Sequence, residues 1–223
     1  MHPYDHARSS ARQFFPQWVK ECGEHTPALA LLPLHHYFDS SKAAFGSWQH
    51  RALRHHREAF PAAVKYALES NVPTLAHCNP EVLLALCEQH LLEDLGRVAT
   101  LSEWRTRLED PPWSVVEHDS LERAAKSVQR YGGTLGDTLA LHEWLDERCL
   151  GDSGYGFWRH HAFGLFEAEA HFGPVREIAG RPIPTRVILE GHLRDDFGRV
   201  PSAQDWLAKI RIASWMRAPS NDS

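Results

Sequence analysis

The chain has 223 residues, 43% of them hydrophobic and 24% charged, the make-up of an ordinary globular protein with one large or two small domains. That composition excludes a disordered or fibrous chain, and a formal net charge of −5 argues against a nucleic-acid role, which usually brings a basic excess. The outlier is histidine: 16 copies, spread along the chain rather than gathered in a tag-like run, and able in part to titrate near neutral pH.

In chain order, the block Met1-His2-Pro3-Tyr4-Asp5-His6 lacks the charged-then-apolar layout of a secretory signal. The apolar run Ala28–Leu34 is far short of the roughly twenty residues of a membrane span. A soluble, cytoplasmic protein with no membrane partner is therefore expected. Cys22, Cys78, Cys87 and Cys149 show no CxxC spacing and read as reduced thiols. Leu34–Asp39 is expected to end a short helix, and Ser41 to about Glu69 to form a long one bent at Pro61. Asn79-Pro80-Glu81 then sets a cap and a first-turn proline. Val82, Leu83, Cys87, Leu91 and Leu95 follow at helical spacing, and Gly96 stops the helix.

Thr100-x-x-Glu103 is a capping box for a short closing helix carrying Trp104. Glu109-Asp110-Pro111-Pro112-Trp113 reads as a linker. Leu141–Glu147 ends another short helix. Val175–Ile183 alternates around Gly180 and predicts a small hairpin. A helix from about Thr185 to Gly198 follows, then a second capping box, Ser202-x-x-Asp205, expected to be weaker because Asp is shorter than Glu. Residues 217–223 form a polar tail. The prediction is a mainly α protein with two similar helical lobes and a minor β-hairpin.

The two lobes come from comparing the chain with itself. Over seventeen positions, Glu88–Trp104 and Glu190–Trp206 share eight identities and four close replacements, where chance gives about one. Leu34-His35…Asp39 matches Leu141-His142…Asp146, and Arg54-His55-His56 matches Arg159-His160-His161, in the same order. A tandem duplication follows: residues 1–108, a linker at 109–117, residues 118–213, and a tail at 214–223.

The matching blocks hold the candidate chemistry. His35/Asp39, His90/Asp94, His142/Asp146 and His192/Asp196 are each four apart, so each pair shares a helix face. His55 or His56, and in the second copy His160 or His161, supplies a third contribution; adjacent residues point about 100° apart, so one of each pair should face inward. Together they make a His₃Asp₂-type pocket per copy, suited to a divalent metal such as zinc, manganese or iron. Glu93 or Asp195 is a candidate base or supporting partner. Arg54, Arg97 and Lys42 are candidates to steady a small anionic substrate. The tryptophans, Gly96 and Gly198 read as structural. His50 reads as a surface residue, although its place five before His55 leaves a site role open.

The blocks His2–Ser10, Leu34-His35…Phe38-Asp39-Ser40-Ser41-Lys42-Ala43, His50–His56 and Glu88-Gln89-His90…Glu93-Asp94-Leu95-Gly96-Arg97 resemble the signature of a small histidine-rich family of bacteria and their phages. That family is classed as a domain of unknown function. The resemblance covers nearly all of the first copy. It departs at Phe14–Ala30, which is longer than the pattern, and at Asn71–Asn79, where a hairpin is expected. The second copy matches through Leu141–Asp146, Arg159–His161 and Pro184–Trp206 but lacks the Ser-Ser-Lys and His-Arg-Ala-Leu elements. The resemblance brings no activity; it implies that single-copy relatives pair and that this chain is a monomeric, fused pseudo-dimer.

Two functions compete. One is a metal-dependent hydrolase of a phosphorylated or nucleotide-like small molecule. The other is a non-catalytic module that binds a protein partner and in which the His/Asp sets are hydrogen-bond networks. A di-iron redox role ranks below both because the ligand set is poor in glutamate, and a nucleic-acid role ranks last.

Overall fold

The computed structural model describes residues 2–70, 75, 78–109, 119–147, 149 and 152–216. The paired prolines of the expected linker, most of Asn71–Asn79 and the Arg217–Ser223 tail lie outside the described residues. The fold is mainly α, in two compact units: Met1–Arg107 with Arg211–Ser223, and Leu108–Ile210.

In the first unit, α1 (Pro3–Phe14), α2 (Pro16–Cys22) and α3 (His25–Phe45) are followed by two 3₁₀ turns, Trp48–Leu53 and Arg57–Ala59. Then come α4 (Phe60–Glu69), α5 (Pro80–Leu95) and α6 (Leu101–Arg105). Helix α3 is the centre: α1, α4 and α5 all pack on it. Leu31, Leu34, Phe38, Phe60, Leu86 and Leu91 of these helices are buried, each such side chain contributing about 1.5–3 kcal/mol by leaving water.

The second unit runs α7 (Ser120–Tyr131), a 3₁₀ turn at Leu135–Asp137, α8 (Leu139–Asp146), a 3₁₀ turn at Ser153–Tyr155 and α9 (Gly156–Arg159). After α10 (Ala162–Phe172) come β1 (Val175–Ile178), β2 (Arg181–Pro184), α11 (Thr185–Phe197) and α12 (Ala203–Leu207). The two strands form the expected antiparallel hairpin, with Val175 opposite Pro184 and Ile178 opposite Arg181. Ile178 turns into a core made by Leu141, Leu145, Leu165, Ile188, Leu189 and Leu193.

The helix ends follow local chemistry. The Asn79 side chain accepts from the Glu81 amide at 2.9 Å, and Pro80 opens α5. Gly96 and Gly198 both end their helices at φ +69°, a left-handed conformation that glycine adopts without a Cβ clash. Both capping boxes close. The second is no looser than the first: the Glu103 and Asp205 carboxylates each accept from their cap amide at 2.8 Å. Thr100→Ala is expected to lower stability by about 1 kcal/mol, measured as a shift in urea midpoint against the wild type.

Two expectations are corrected. Leu34–Asp39 lies inside the 21-residue α3, not at the end of a short helix. Residues 41–69 are not one bent helix: Gly46, at φ +64°, ends α3, and Pro61 sits in the first turn of α4, where its missing N–H costs nothing. The turns between them place His50 and His55 in the interior. The segment at the end of the described chain also belongs to the first unit. The Arg211 amide donates to the Arg107 carbonyl at 2.9 Å. Trp215 meets Trp104 edge to face, with centroids 4.8 Å apart, and Met216 is buried. Among the described residues no helix is long and apolar enough to cross a membrane.

Candidate metal centre

In the first unit, four side chains from three parts of the fold converge. Asp39 comes from α3, His90 and Asp94 come from one face of α5, and His55 comes from the turn after Trp48–Leu53. One ligand atom from each lies within 4.8 Å of all the others, and all four residues are buried. His55 Nε2 is 3.1 Å from Asp94 Oδ2 and 3.3 Å from His90 Nε2. Asp39 Oδ1 is 3.9 Å from His55 Nε2. His55 is fixed from behind by its own backbone: its carbonyl accepts from Trp104 Nε1 at 3.0 Å.

A surrounding layer holds these groups. His35 is not in the converging set; its Nδ1 shares a hydrogen bond with His90 Nδ1 at 3.1 Å, the outer-nitrogen contact that orients a ligating imidazole. Arg51 ion-pairs with Asp94 at 3.0 Å. His6, which the sequence reasoning left without a role, joins Glu93 at 2.5 Å through Nδ1 and Asp94 at 3.2 Å through Nε2. The available signal was His6 on a buried helix face otherwise made of the small residues Ala7, Ser10 and Ala11. His50 is buried, not a surface residue, and bonds Ser41 at 3.0 Å.

The adjacent-histidine question is answered by direction. His55 faces the cluster, and His56 turns away: its Nε2 meets the Leu53 carbonyl at 3.3 Å and its Nδ1 lies 3.4 Å from Glu58. The candidate catalytic residues are scattered. Glu93 accepts from Ser9 at 2.5 Å and Gln89 at 2.6 Å besides holding His6, so its oxygens are occupied, unlike those of a free base. Arg97 is paired with Glu103 outside the cluster. Arg54 stacks on Tyr37 and donates to the Tyr37 carbonyl at 2.7 Å. Lys42 is exposed one turn beyond Asp39, close enough for its charge to act on that carboxylate.

The second unit repeats the plan with fewer members. Asp146, His160 and His192 converge within 4.8 Å. Asp146 Oδ1 is 3.2 Å from both imidazole Nε2 atoms. His142 again stands behind, its Nδ1 3.0 Å from that of His192. Trp206 Nε1 donates to the His160 carbonyl at 3.0 Å. His161, like His56, turns out: its Nδ1 accepts the Gly164 amide at 3.0 Å and caps α10. Asp196 touches His192 at 3.0 Å but stands outside the converging set.

Protonation follows burial and contact. Burial, with the His6 charge nearby, pushes His35 down to about 3 and His90 well below its usual value. Burial also lowers His55 and takes His50 to about 3. These imidazoles are neutral, with lone pairs to offer. Burial opposes charge on His6 too, but its hydrogen bonds to Asp94 and Glu93 hold it up at about 9. Burial alone would raise Asp94; the bonds from His55 and His6 and the Arg51 charge win and hold it low. Asp39 is raised by burial, and its Oδ2 is buried without a hydrogen-bond partner among the described residues. In the second unit burial takes His142 to about 3 and His161 to about 4. There His160 is held at about 9 against burial by Cys149 and Asp146.

The sign of the pH dependence follows. Histidines with lowered folded values contribute stability that is present above the unfolded value near 6.5 and lost as pH falls toward 3–4. His6 and His160 contribute stability present below about 6.5 and lost as pH rises through about 9. Metal-free protein should therefore be most resistant to urea near neutral pH. Unfolding midpoints at about pH 5, 6.5 and 9 check this, and a steady rise across the range would contradict it.

A family model described as a domain of unknown function matches residues 1–114 and again residues 118–216. No curated protein and no solved structure matches the chain.

Proposed function

Because the chain belongs to the DUF6915 family, a domain of unknown function present here as two tandem copies, its activity is read from its own side chains, and we propose that it is a metal-binding protein whose ion is held in the first repeat by Asp39, His55, His90 and Asp94. The observation that carries this reading is the convergence of two imidazoles and two carboxylates within 4.8 Å of one another in a buried site. Burying two carboxylates side by side is costly unless cations match them. Arg51 and His6 both serve Asp94, while Asp39 keeps a buried oxygen without a hydrogen bond. Two nitrogen and two oxygen donors suit zinc, manganese or iron. His35 behind His90 and the backbone anchor on His55 supply the orientation such ligands need.

The finer reading is a metal-dependent hydrolase of a small phosphorylated or nucleotide-like molecule. A divalent ion supplies Lewis acidity and lowers the pKa of a coordinated water. Asp39, at 6% exposure the least buried of the four, marks the side from which substrate reaches the site, and exposed Lys42 just beyond it steadies the phosphate. Glu93, occupied by His6, Ser9 and Gln89, acts as a positioning group for His6 rather than as the base.

Untagged protein is expected to bind cobalt(II) with the visible absorption of a four-coordinate site. His90→Ala and His55→Ala should each weaken that binding by about 100-fold or more, and Lys42→Ala should leave it unchanged while raising KM for an aryl phosphate ester. Binding that is absent in the wild type, together with stability indifferent to a chelator, would favour the non-catalytic interaction module.

A further inference from the structure

The two repeats differ where the metal reading is most sensitive. Helices α1 and α7 are both twelve residues long, and the fourth residue of each, His6 and Arg123, enters the cluster of its own unit. His6 meets Glu93 and Asp94. Arg123 meets Asp195 at 3.1 Å and pairs with Asp196. Asp195 and Asp196 are the counterparts of Glu93 and Asp94 in the aligned blocks. The contacts therefore equate His6 with Arg123, in register with the identities Ala7/Ala124 and Ser10/Ser127 of the two helices.

We propose that the buried guanidinium of Arg123 is a built-in cation that takes the place of the ion in the second repeat, so that the chain binds one metal ion and binds it in the first repeat. This rests on the metal reading of the first repeat. Arg123 is 1% exposed and takes Oδ1 of Asp196; the other oxygen lies 3.0 Å from His192 Nε2 and 3.9 Å from His160 Nε2, yet Asp196 stands outside the mutually close set of Asp146, His160 and His192. The first repeat keeps both carboxylates in its set of four. Asp146 is further occupied by Ser120 Oγ, which donates to its Oδ2 at 2.6 Å; Pro3 stands first in α1, where Ser120 stands first in α7, and offers no such donor.

Arg51 does not do the same in the first repeat. It pairs with Asp94 while leaving that residue in the converging set, and Asp39 is left to the ion. The second repeat has Gly156 at the Arg51 position in the aligned blocks. A side chain is excluded there: a Cβ would lie 2.6 Å from the Trp206 ring. Each repeat thus has one arginine on its α5 or α11 aspartate, delivered from different elements with different consequences for the ligand set.

The test is cobalt(II) or zinc(II) stoichiometry on full-length, untagged protein, by equilibrium dialysis and elemental analysis. The wild type is expected to hold one ion per chain, lost in His90→Ala and retained in His192→Ala. Arg123→His should raise the count to two, and His6→Arg should lower it to zero. Two ions in the wild type, or one ion lost with His192→Ala instead of His90→Ala, would overturn the assignment while leaving metal binding intact. An unchanged count in a folded Arg123→His variant would also overturn it. No ion in the wild type would remove the metal reading itself, and this inference with it. The two alanine variants place the site even if Arg123→His fails to fold.

Discussion

Asp94→Asn is expected to lower the unfolding free energy by about 3–5 kcal/mol, the cost of breaking a buried pair by removing one partner. Asp94 is 1% exposed and holds Arg51 at 3.0 Å, His55 at 3.1 Å and His6 at 3.2 Å. Asparagine keeps the shape but leaves the buried Arg51 guanidinium beside a neutral amide in place of its paired carboxylate. The loss has a second signature. His6 owes its high value in part to Asp94, so the decline in stability between pH 6.5 and about 9 should flatten in the variant. Urea titrations of both proteins across that range measure both effects. A loss below about 1 kcal/mol, the scale of an exposed pair, would show that the cluster is wetter and looser than its burial implies.

The second large effect is expected at the tryptophans. Trp104 and Trp206 are fully buried, and each donates its indole N–H to the carbonyl of the inward-facing histidine. Truncation of either to alanine should cost about 3–5 kcal/mol through lost burial and the cavity left behind. Trp104→Phe separates packing from anchoring. It keeps most of the volume and drops the bond to His55, so it should cost less in stability yet still weaken cobalt binding. Thermal unfolding and metal titration of wild type, Trp104→Ala and Trp104→Phe test this; equal metal affinity in wild type and Trp104→Phe would show that the anchor does not position His55.

Much of this architecture can be read from the residues. The duplication follows from comparing the chain with itself, and the α5 and α11 boundaries, the capping boxes and the hairpin follow from local chemistry, because caps, first-turn prolines and left-handed glycines act over four or five residues. The four-residue spacing of His90 and Asp94 likewise put them on one face. What could not be read depended on chain direction at irregular turns and on contacts far apart in sequence. Nothing local in Arg54-His55-His56 says which imidazole turns inward; the 3₁₀ geometry of 48–53 and the Trp104 anchor decide it. His6 lies 87 residues from Glu93, and no periodicity joins them. The break after Gly46 has a local signal, the left-handed glycine followed by Ser47, but helix formers on either side, such as Lys42–Ala44 and Ala62–Glu69, mask it when the stretch is read as a whole.

The guanidinium of Arg51 spends one nitrogen on two main-chain oxygens, those of Asp94 at 2.9 Å and Met216 at 2.6 Å. One acceptor lies on α5; the other lies 165 positions along the chain from Arg51. On a translating ribosome the first repeat emerges first, yet its clamp on Arg51 closes only after the entire second repeat has been synthesised. The first unit is thus begun before the second repeat is made and completed only after it.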